Sequence, residues 1–144
     1  MQTSLWQNHQ FNSDGNGHSK ATMMIVDDDP VYLRLSKDFF QTFYPNDFEI
    51  VCTARDGEEC LKQAQIFMPQ VVLIDLHMPG MNGLQTIPLL RLLFPETCII
   101  ALTHDDGTKS REAVLNSGGD DLVSKANMRT HLVPAIERVI SSAE

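Results

Sequence analysis

The chain has 144 residues, enough for one domain with a buried core and too few for two ordinary domains. It carries 19 acidic side chains against 11 Lys and Arg, a formal net charge of −8, which argues against direct binding to a nucleic-acid backbone. No window approaches the roughly 18 consecutive apolar residues that a membrane span needs, so no membrane contact is predicted. The three cysteines lack the spacing of a disulfide framework or zinc site, and we expect a cytoplasmic location.

Residues 1–21 are polar, and their only bulky apolar side chains are Leu5, Trp6 and Phe11. This composition predicts a flexible N-terminal tail. The alternative is a docking peptide anchored by those three side chains. Residues 22–144 are predicted to form one domain.

Beyond the tail, short apolar runs alternate with helical patterns, which is typical of βα units around a parallel sheet. The strands are predicted at residues 23–26, 48–54, 71–74, 98–102 and 122–123. The fold class is therefore α/β with a five-stranded parallel sheet.

The first helix has both a start signal and an apolar stripe. Asp29 is a candidate N-cap, and Pro30 suits the first helical position. Leu35, Phe39 and Phe43 recur every four residues, so we expect them to form the buried face.

The second helix is predicted to open at Asp56 or Gly57, and Asn127 is a candidate cap for the last. The stripes expected to be buried are Leu61, Ala64 and Phe67 or Met68 in the second helix, Leu84, Ile87, Leu90 and Leu93 in the third, and Leu132, Ile136, Val139 and Ile140 in the last. Because the third helix also carries Leu89 and Leu92, it is apolar on nearly every side. We interpret this as a wide buried face, with a partner surface as the alternative.

Polar side chains stand at the ends of four predicted strands. Asp27 and Asp28 follow the first, Asp75 ends the third, Thr103 ends the fourth and Lys125 follows the fifth. The carboxyl ends of parallel strands share one edge, where ligands of open α/β sheets bind. We therefore expect these five residues to form one site.

The three carboxylates need compensation, because two of them about 4 Å apart repel by roughly 4 kcal/mol at an effective dielectric near 20. A divalent cation would supply it, and oxygen-only ligands favour magnesium. Lys125 and Thr103 add phosphate-binding groups, so the set indicates phosphoryl transfer with Asp75 as the best candidate nucleophile. The sequence contains no G-x-x-x-x-G-K-[ST] loop, and ATP is not predicted as the phosphodonor.

Four motifs carry a family resemblance: MIVDDDP, VVLIDLHMPGMNG, IIALTHDD and DLVSKA, in that order. Over residues 22–142 the chain resembles the receiver domain of two-component response regulators. The resemblance implies a flavodoxin-like three-layer αβα fold with strand order 2-1-3-4-5.

The resemblance also implies roles for the acidic residues and their neighbours. Asp75 would be the phosphoacceptor, loaded from a phosphohistidine. Mg²⁺ would be bound directly by Asp28, Asp75 and the backbone carbonyl of His77, with Asp27 acting through a coordinated water.

Two further residues would respond to the phosphoryl group. By the same resemblance, Thr103 and Lys125 would contact its oxygens and couple phosphorylation to the face formed by the fourth helix, fifth strand and fifth helix.

Three positions depart from the commonest receiver pattern. Leu122 stands where many receivers carry an aromatic side chain that turns inward, so an aromatic switch is not expected. His104 follows Thr103 where small residues are common, which would narrow access. Ala126 replaces a proline that follows a cis peptide bond, and we expect a trans bond because a cis bond would cost about 3 kcal/mol.

The partners implied are a sensor histidine kinase or phosphotransfer protein and a downstream output protein. The chain would assist its own phosphorylation without being a conventional multiple-turnover enzyme. It would act as a stand-alone receiver or as the receiver of a helix-turn-helix regulator. The alternatives are an aspartyl-phosphate-type phosphatase, with Asp27 or Asp75 as nucleophile, and a degenerate receiver acting as a scaffold.

Overall fold

The computed structural model describes residues 20–104 and 108–143. The strands are β1 Ala21–Val26, β2 Phe48–Ala54, β3 Val71–Asp75, β4 Cys98–Thr103 and β5 Asp121–Ser124. The helices are α1 Pro30–Phe43, α2 Gly57–Phe67, α3 Gly83–Leu93, α4 Thr108–Ser117 and α5 Met128–Ser142, with a 3₁₀ turn at Lys125–Asn127. Within these ranges no helix has the length and apolar character needed to cross a membrane. The predicted flexible tail lies outside the described residues, apart from the last two of its residues.

The five strands form one parallel sheet in the order β2-β1-β3-β4-β5, which confirms the predicted fold. After β2 the chain passes across β1, so that β3, β4 and β5 lie on the opposite side of β1 from β2. Strand order therefore reverses between β1 and β3, and a crevice opens there at the carboxyl ends of the strands.

Both faces of the central strands are buried, because helices cover the sheet on each side. In β1, Met23 and Ile25 pack with α1 and α5, whereas Met24 and Val26 pack with α2, α3 and α4. This alternation explains why the strand is apolar at successive positions.

The predicted caps of the first two helices are confirmed. The Asp29 carboxylate accepts a hydrogen bond from the Val31 amide at 2.9 Å, and Pro30 occupies the first position of α1. The Asp56 carboxylate accepts one from the Glu59 amide at 2.8 Å. These bonds satisfy backbone donors that have no partner within the helix.

The predicted cap of the last helix was wrong in its mechanism. Asn127 precedes α5, but its side chain makes no capping hydrogen bond, because it is the last residue of the 3₁₀ turn and its backbone lies outside the extended region. A capping box that the sequence analysis did not identify begins α3, where the side chains of Asn82 and Gln85 each bond the other's backbone amide at 3.0 Å.

The predicted buried face of α1 was wrong for Leu35 and Phe43, whereas Phe39 is partly buried against the core. Leu35 is 58% exposed and Phe43 is 55% exposed, whereas Leu33, Ser36 and Phe40 are buried against the sheet. The helix carries two stripes, and the one that contacts the sheet includes a small serine that permits close approach. Because that serine is polar, the sequence pattern favoured the other stripe.

The second and third helices leave apolar side chains in solvent. Ile87 and Leu90 are buried as predicted. The predicted burial of Leu93 was wrong, and so was that of Phe67 or Met68. Leu92 is 78% exposed. The exposed apolar residues of these two helices are Ile66, Phe67, Met68, Leu89, Leu92 and Leu93. A wide buried face on α3 was thus the wrong interpretation, since the helix meets the sheet along one narrow stripe.

The start of α3 is packed directly against the end of β3 at Gly83. A Cβ atom on Gly83 would lie 2.6 Å from the Asp75 carbonyl oxygen and 2.9 Å from the Leu76 Cα. Both neighbours are backbone atoms and cannot move aside alone. This close approach therefore requires glycine and fixes the backbone around Asp75.

We predict that Gly83→Ala lowers the free energy of unfolding by about 2–3 kcal/mol, because the new methyl group must displace backbone. Gly80→Ala is the control: its site has open space but a φ of +72°, and it should cost about 1 kcal/mol. Urea denaturation of both variants measures the difference. A loss for Gly83→Ala no larger than for Gly80→Ala would contradict the packing argument.

Candidate functional site

Three carboxylates meet at the crevice between β1 and β3. Asp27 and Asp28 follow β1, Asp75 ends β3, and each offers an oxygen within 4.8 Å of the others. Asp27 and Asp75 are buried, and Asp28 is the most exposed of the three. The structure thus brings together the acidic residues that the sequence placed at strand ends.

Lys125 reaches the same crevice from the end of β5. Its Nζ lies 2.6 Å from Asp27 Oδ2 and 3.5 Å from Asp75 Oδ2, and its side chain is only 6% exposed. One ammonium group therefore bridges two buried carboxylates. Such a pair loses its compensation if the shared cation is removed.

Each buried carboxylate is also held by a backbone amide two residues further along the chain. Asp27 Oδ1 accepts a hydrogen bond from the Asp29 amide at 2.9 Å. Asp75 Oδ1 accepts one from the His77 amide at 3.1 Å. These bonds fix the Oδ1 atoms and leave both Oδ2 atoms directed at Lys125.

Tyr32 is a neighbour of the site that the sequence analysis missed. Lys125 Nζ lies 4.2 Å from the centre of the Tyr32 ring, a cation–π contact. The phenol donates a hydrogen bond to Met128 Sδ, and burial raises its pKa, as do the charges of Asp27 and Asp75. The sequence feature that could have identified Tyr32 is its position in the first turn of α1, which follows β1 at the same edge of the sheet.

The site has an excess of negative charge. Three carboxylates against one ammonium leave two negative charges uncompensated. Burial raises the pKa of Asp75, and the charge of Asp27 raises it further, while the His77 amide and Lys125 lower it. A divalent cation would balance the two excess negative charges, and the all-oxygen donor set suits magnesium.

The remaining predicted residues line the same edge. Thr103 ends β4, beside β3, and is fully buried; it pairs in register with Ser124 of β5. The side chains of His77 and His104 are exposed.

The structure also places the other two departures from the receiver pattern, Leu122 and Ala126. Leu122 is buried in the layer of α2, α3 and α4. The peptide bond from Lys125 to Ala126 is trans, as expected.

The family of the chain follows from a comparison with family models. Residues 23–137 match the response regulator receiver domain. The chain belongs to this family. The receiver function predicted from the motifs is confirmed, and the phosphatase alternative is not favoured.

Curated relatives include proteins with different activities. A protein-glutamate methylesterase/protein-glutamine glutaminase of Caldanaerobacter subterraneus subsp. tengcongensis is 33% identical over 107 residues, which is 74% of this chain and 29% of that protein. The oxygen regulatory protein NreC of Staphylococcus aureus is 33% identical over 117 residues, which is 81% of this chain and 54% of that protein. The receiver thus spans about a third to a half of these relatives.

Solved structures show the same architecture. A two-component response regulator of the LuxR family from Aurantimonas sp. SI85-9A1 matches with a TM-score of 0.77 and 26% identity, over 86% of this chain and 87% of that one. The response regulator domain of Thermotoga maritima CheB matches with a TM-score of 0.75 and 22% identity, over 85% and 97% of the two chains. The second likeness concerns the fold alone.

The raised pKa of Asp75 means that its ionised form opposes folding. The protonated carboxyl therefore favours the folded state. This contribution to stability is fully present below the unfolded-state pKa of about 3.9 and is lost as the pH rises through the folded-state pKa of Asp75. We predict that Asp75→Asn is more stable than the unmodified protein at pH 7 without divalent cations, and that the gap narrows as the pH falls toward 4. Lys125 keeps Asp27 as its partner in this variant.

Denaturant unfolding at pH 7 and near pH 4, with a chelator present, measures the difference in the free energy of unfolding between Asp75→Asn and the unmodified protein. Asp29→Asn is the control, because asparagine also caps helices well and Asp29 is exposed. A destabilised Asp75→Asn at pH 7 would show that the ionised carboxylate supports the fold.

Proposed function

We propose that Asp75 is the phosphoacceptor of this receiver and that a sensor histidine kinase or phosphotransfer protein supplies the phosphoryl group. The observation that carries the proposal is the buried Asp75 carboxylate beside Lys125, in a crevice that two other carboxylates share. A carboxylate in this position can act as a nucleophile, and Lys125 offsets part of the negative charge around it.

The proposed step is a displacement at phosphorus. A carboxylate oxygen of Asp75 forms the new O–P bond as the P–N bond of the donor phosphohistidine breaks, and the imidazole leaves with the electron pair and takes up a proton. The ammonium group of Lys125 then moves from the carboxylates toward a phosphoryl oxygen. The Thr103 hydroxyl donates a hydrogen bond to another oxygen.

The residues around Asp75 fit a magnesium ion. We assign direct coordination to Asp28, Asp75 and the His77 carbonyl, and contact through water to Asp27. Bound there, Mg²⁺ would offset the negative charge that the carboxylates and phosphoryl oxygens bring together. One carboxylate oxygen from each of Asp27, Asp28 and Asp75 lies within 4.8 Å of the other two, which supports this assignment of the carboxylate ligands.

The output is proposed to be a protein contact made by the face of α4, β5 and α5, in a domain spanning residues 22–144. Thr103 and Lys125 connect this face to the site, and Leu122 offers no aromatic ring to switch. The net charge of −8 argues against direct nucleic-acid binding. A cytoplasmic location and the lack of conventional multiple turnover belong to the same proposal.

Phosphorylation by a small donor tests the role of Asp75. We predict that acetyl phosphate with Mg²⁺ adds one phosphoryl group per chain and that Asp75→Asn abolishes the label, as measured by intact-protein mass spectrometry. Asp29→Asn should be labelled normally, since Asp29 only caps α1. Undiminished labelling of Asp75→Asn would rule out the assignment.

Magnesium titration tests the role of Asp28. We predict that Asp28→Ala weakens Mg²⁺ binding about tenfold or more, equivalent to roughly 1.4 kcal/mol, because it removes a charged ligand. Glu58→Ala removes an exposed acid at the start of α2 and serves as the charge-matched control. Equal weakening in both variants would mean that only net charge matters, and circular dichroism verifies that each folds.

A further inference from the structure

The exposed stripe of α1 borders a groove against the start of α5. The exposed Leu35 and Phe43 and the partly buried Phe39 form one wall, and Met128 and Arg129 form the other. The cavity between them has a volume of about 370 Å³ and is lined mainly by apolar side chains. A concave apolar surface of this size can enclose a bulky side chain.

The groove continues toward the amino-terminal edge of the sheet. A second cavity of about 260 Å³ lies between Phe39, Phe43, Tyr44 and Arg129. The guanidinium carbon of Arg129 is 5.6 Å from the centre of the Phe43 ring, so this wall already accommodates cation–π packing. Another aromatic ring placed here would meet both a ring and a cation.

A third cavity lies between the carboxyl-terminal end of α1 and β2, near the start of β1. It has a volume of about 250 Å³, and its lining includes Lys20, Phe40 and Pro45. Lys20 is the residue at which residues 1–19 join the described domain. The preceding segment therefore joins the domain at the carboxyl-terminal end of α1.

That segment has a composition suited to an apolar groove. Residues 1–19 include Leu5, Trp6 and Phe11, carry no Lys or Arg, and have Asp14 as their one acidic residue. Eight residues lie between Phe11 and Lys20, and the nine Cα–Cα steps can span about 30 Å when extended. The 14 residues of α1 measure about 21 Å along the helix axis, so the whole groove is within reach.

We propose that the N-terminal segment, residues 1–19, docks in the groove between α1 and α5, with Trp6 as its main anchor. Lys125 and Tyr32 line the same groove, so the docked segment lies beside the carboxylate site. The docking does not depend on the proposed phosphoacceptor function. It is a contact within one chain, in contrast to the flexible tail that composition alone predicts.

Trp6 is the only tryptophan of the chain, so its fluorescence reports on this segment alone. In the full chain we expect a blue-shifted emission and reduced quenching by acrylamide, both independent of protein concentration. Leu35→Asp and Phe43→Asp place a charge in the groove at exposed positions and should each move the emission to that of a solvated indole. Leu92→Asp changes an exposed leucine on α3, on the other side of the sheet, and should leave the emission unchanged.

Three results would overturn the proposal. A solvated emission in the unmodified chain would mean that the segment is free. Loss of the blue shift in Leu92→Asp but not in Leu35→Asp would place the segment on α3. Protection that grows with concentration, together with a dimer in light scattering, would show that a second copy is involved. Circular dichroism of each variant confirms that the fold persists.

Discussion

One buried ammonium group, that of Lys125, holds two carboxylates from different strands in a common crevice. Asp27 and Asp75 come from neighbouring strands at the point where strand order reverses, and Lys125 comes from the far edge of the sheet. Their arrangement requires the pairing register to be kept from β1 through β3 and β4 to β5. The helices then serve mainly to cover the sheet and to close the crevice with their ends.

The sequence predicted the parts of the molecule that local chemistry determines. Strands buried on both faces read as continuous apolar runs, and Asp29 and Asp56 occupy cap positions that few other residues fill as well. The site was found because its charged residues follow apolar strands directly. Strand order was implied by the family resemblance, since no local pattern specifies which strands become neighbours.

The features that the sequence did not predict are determined by tertiary packing. The first helix has two stripes, and only contact with the sheet decides that Phe40 is buried while Phe43 is exposed. The contact of Tyr32 with Lys125 joins residues that are distant in the chain and has no local signature. Asn127 stands at a cap position, but it ends the 3₁₀ turn and its backbone has another geometry.

The separation of 98 positions between Asp27 and Lys125 has a consequence for how the molecule folds. Contacts between such distant positions form late, because closing long loops costs entropy before the contact is gained. During synthesis, the residues around β3 leave the ribosome well before Lys125 does. A nascent or partly folded chain therefore lacks the bridging ammonium, and the assembled crevice is a property of the finished fold alone.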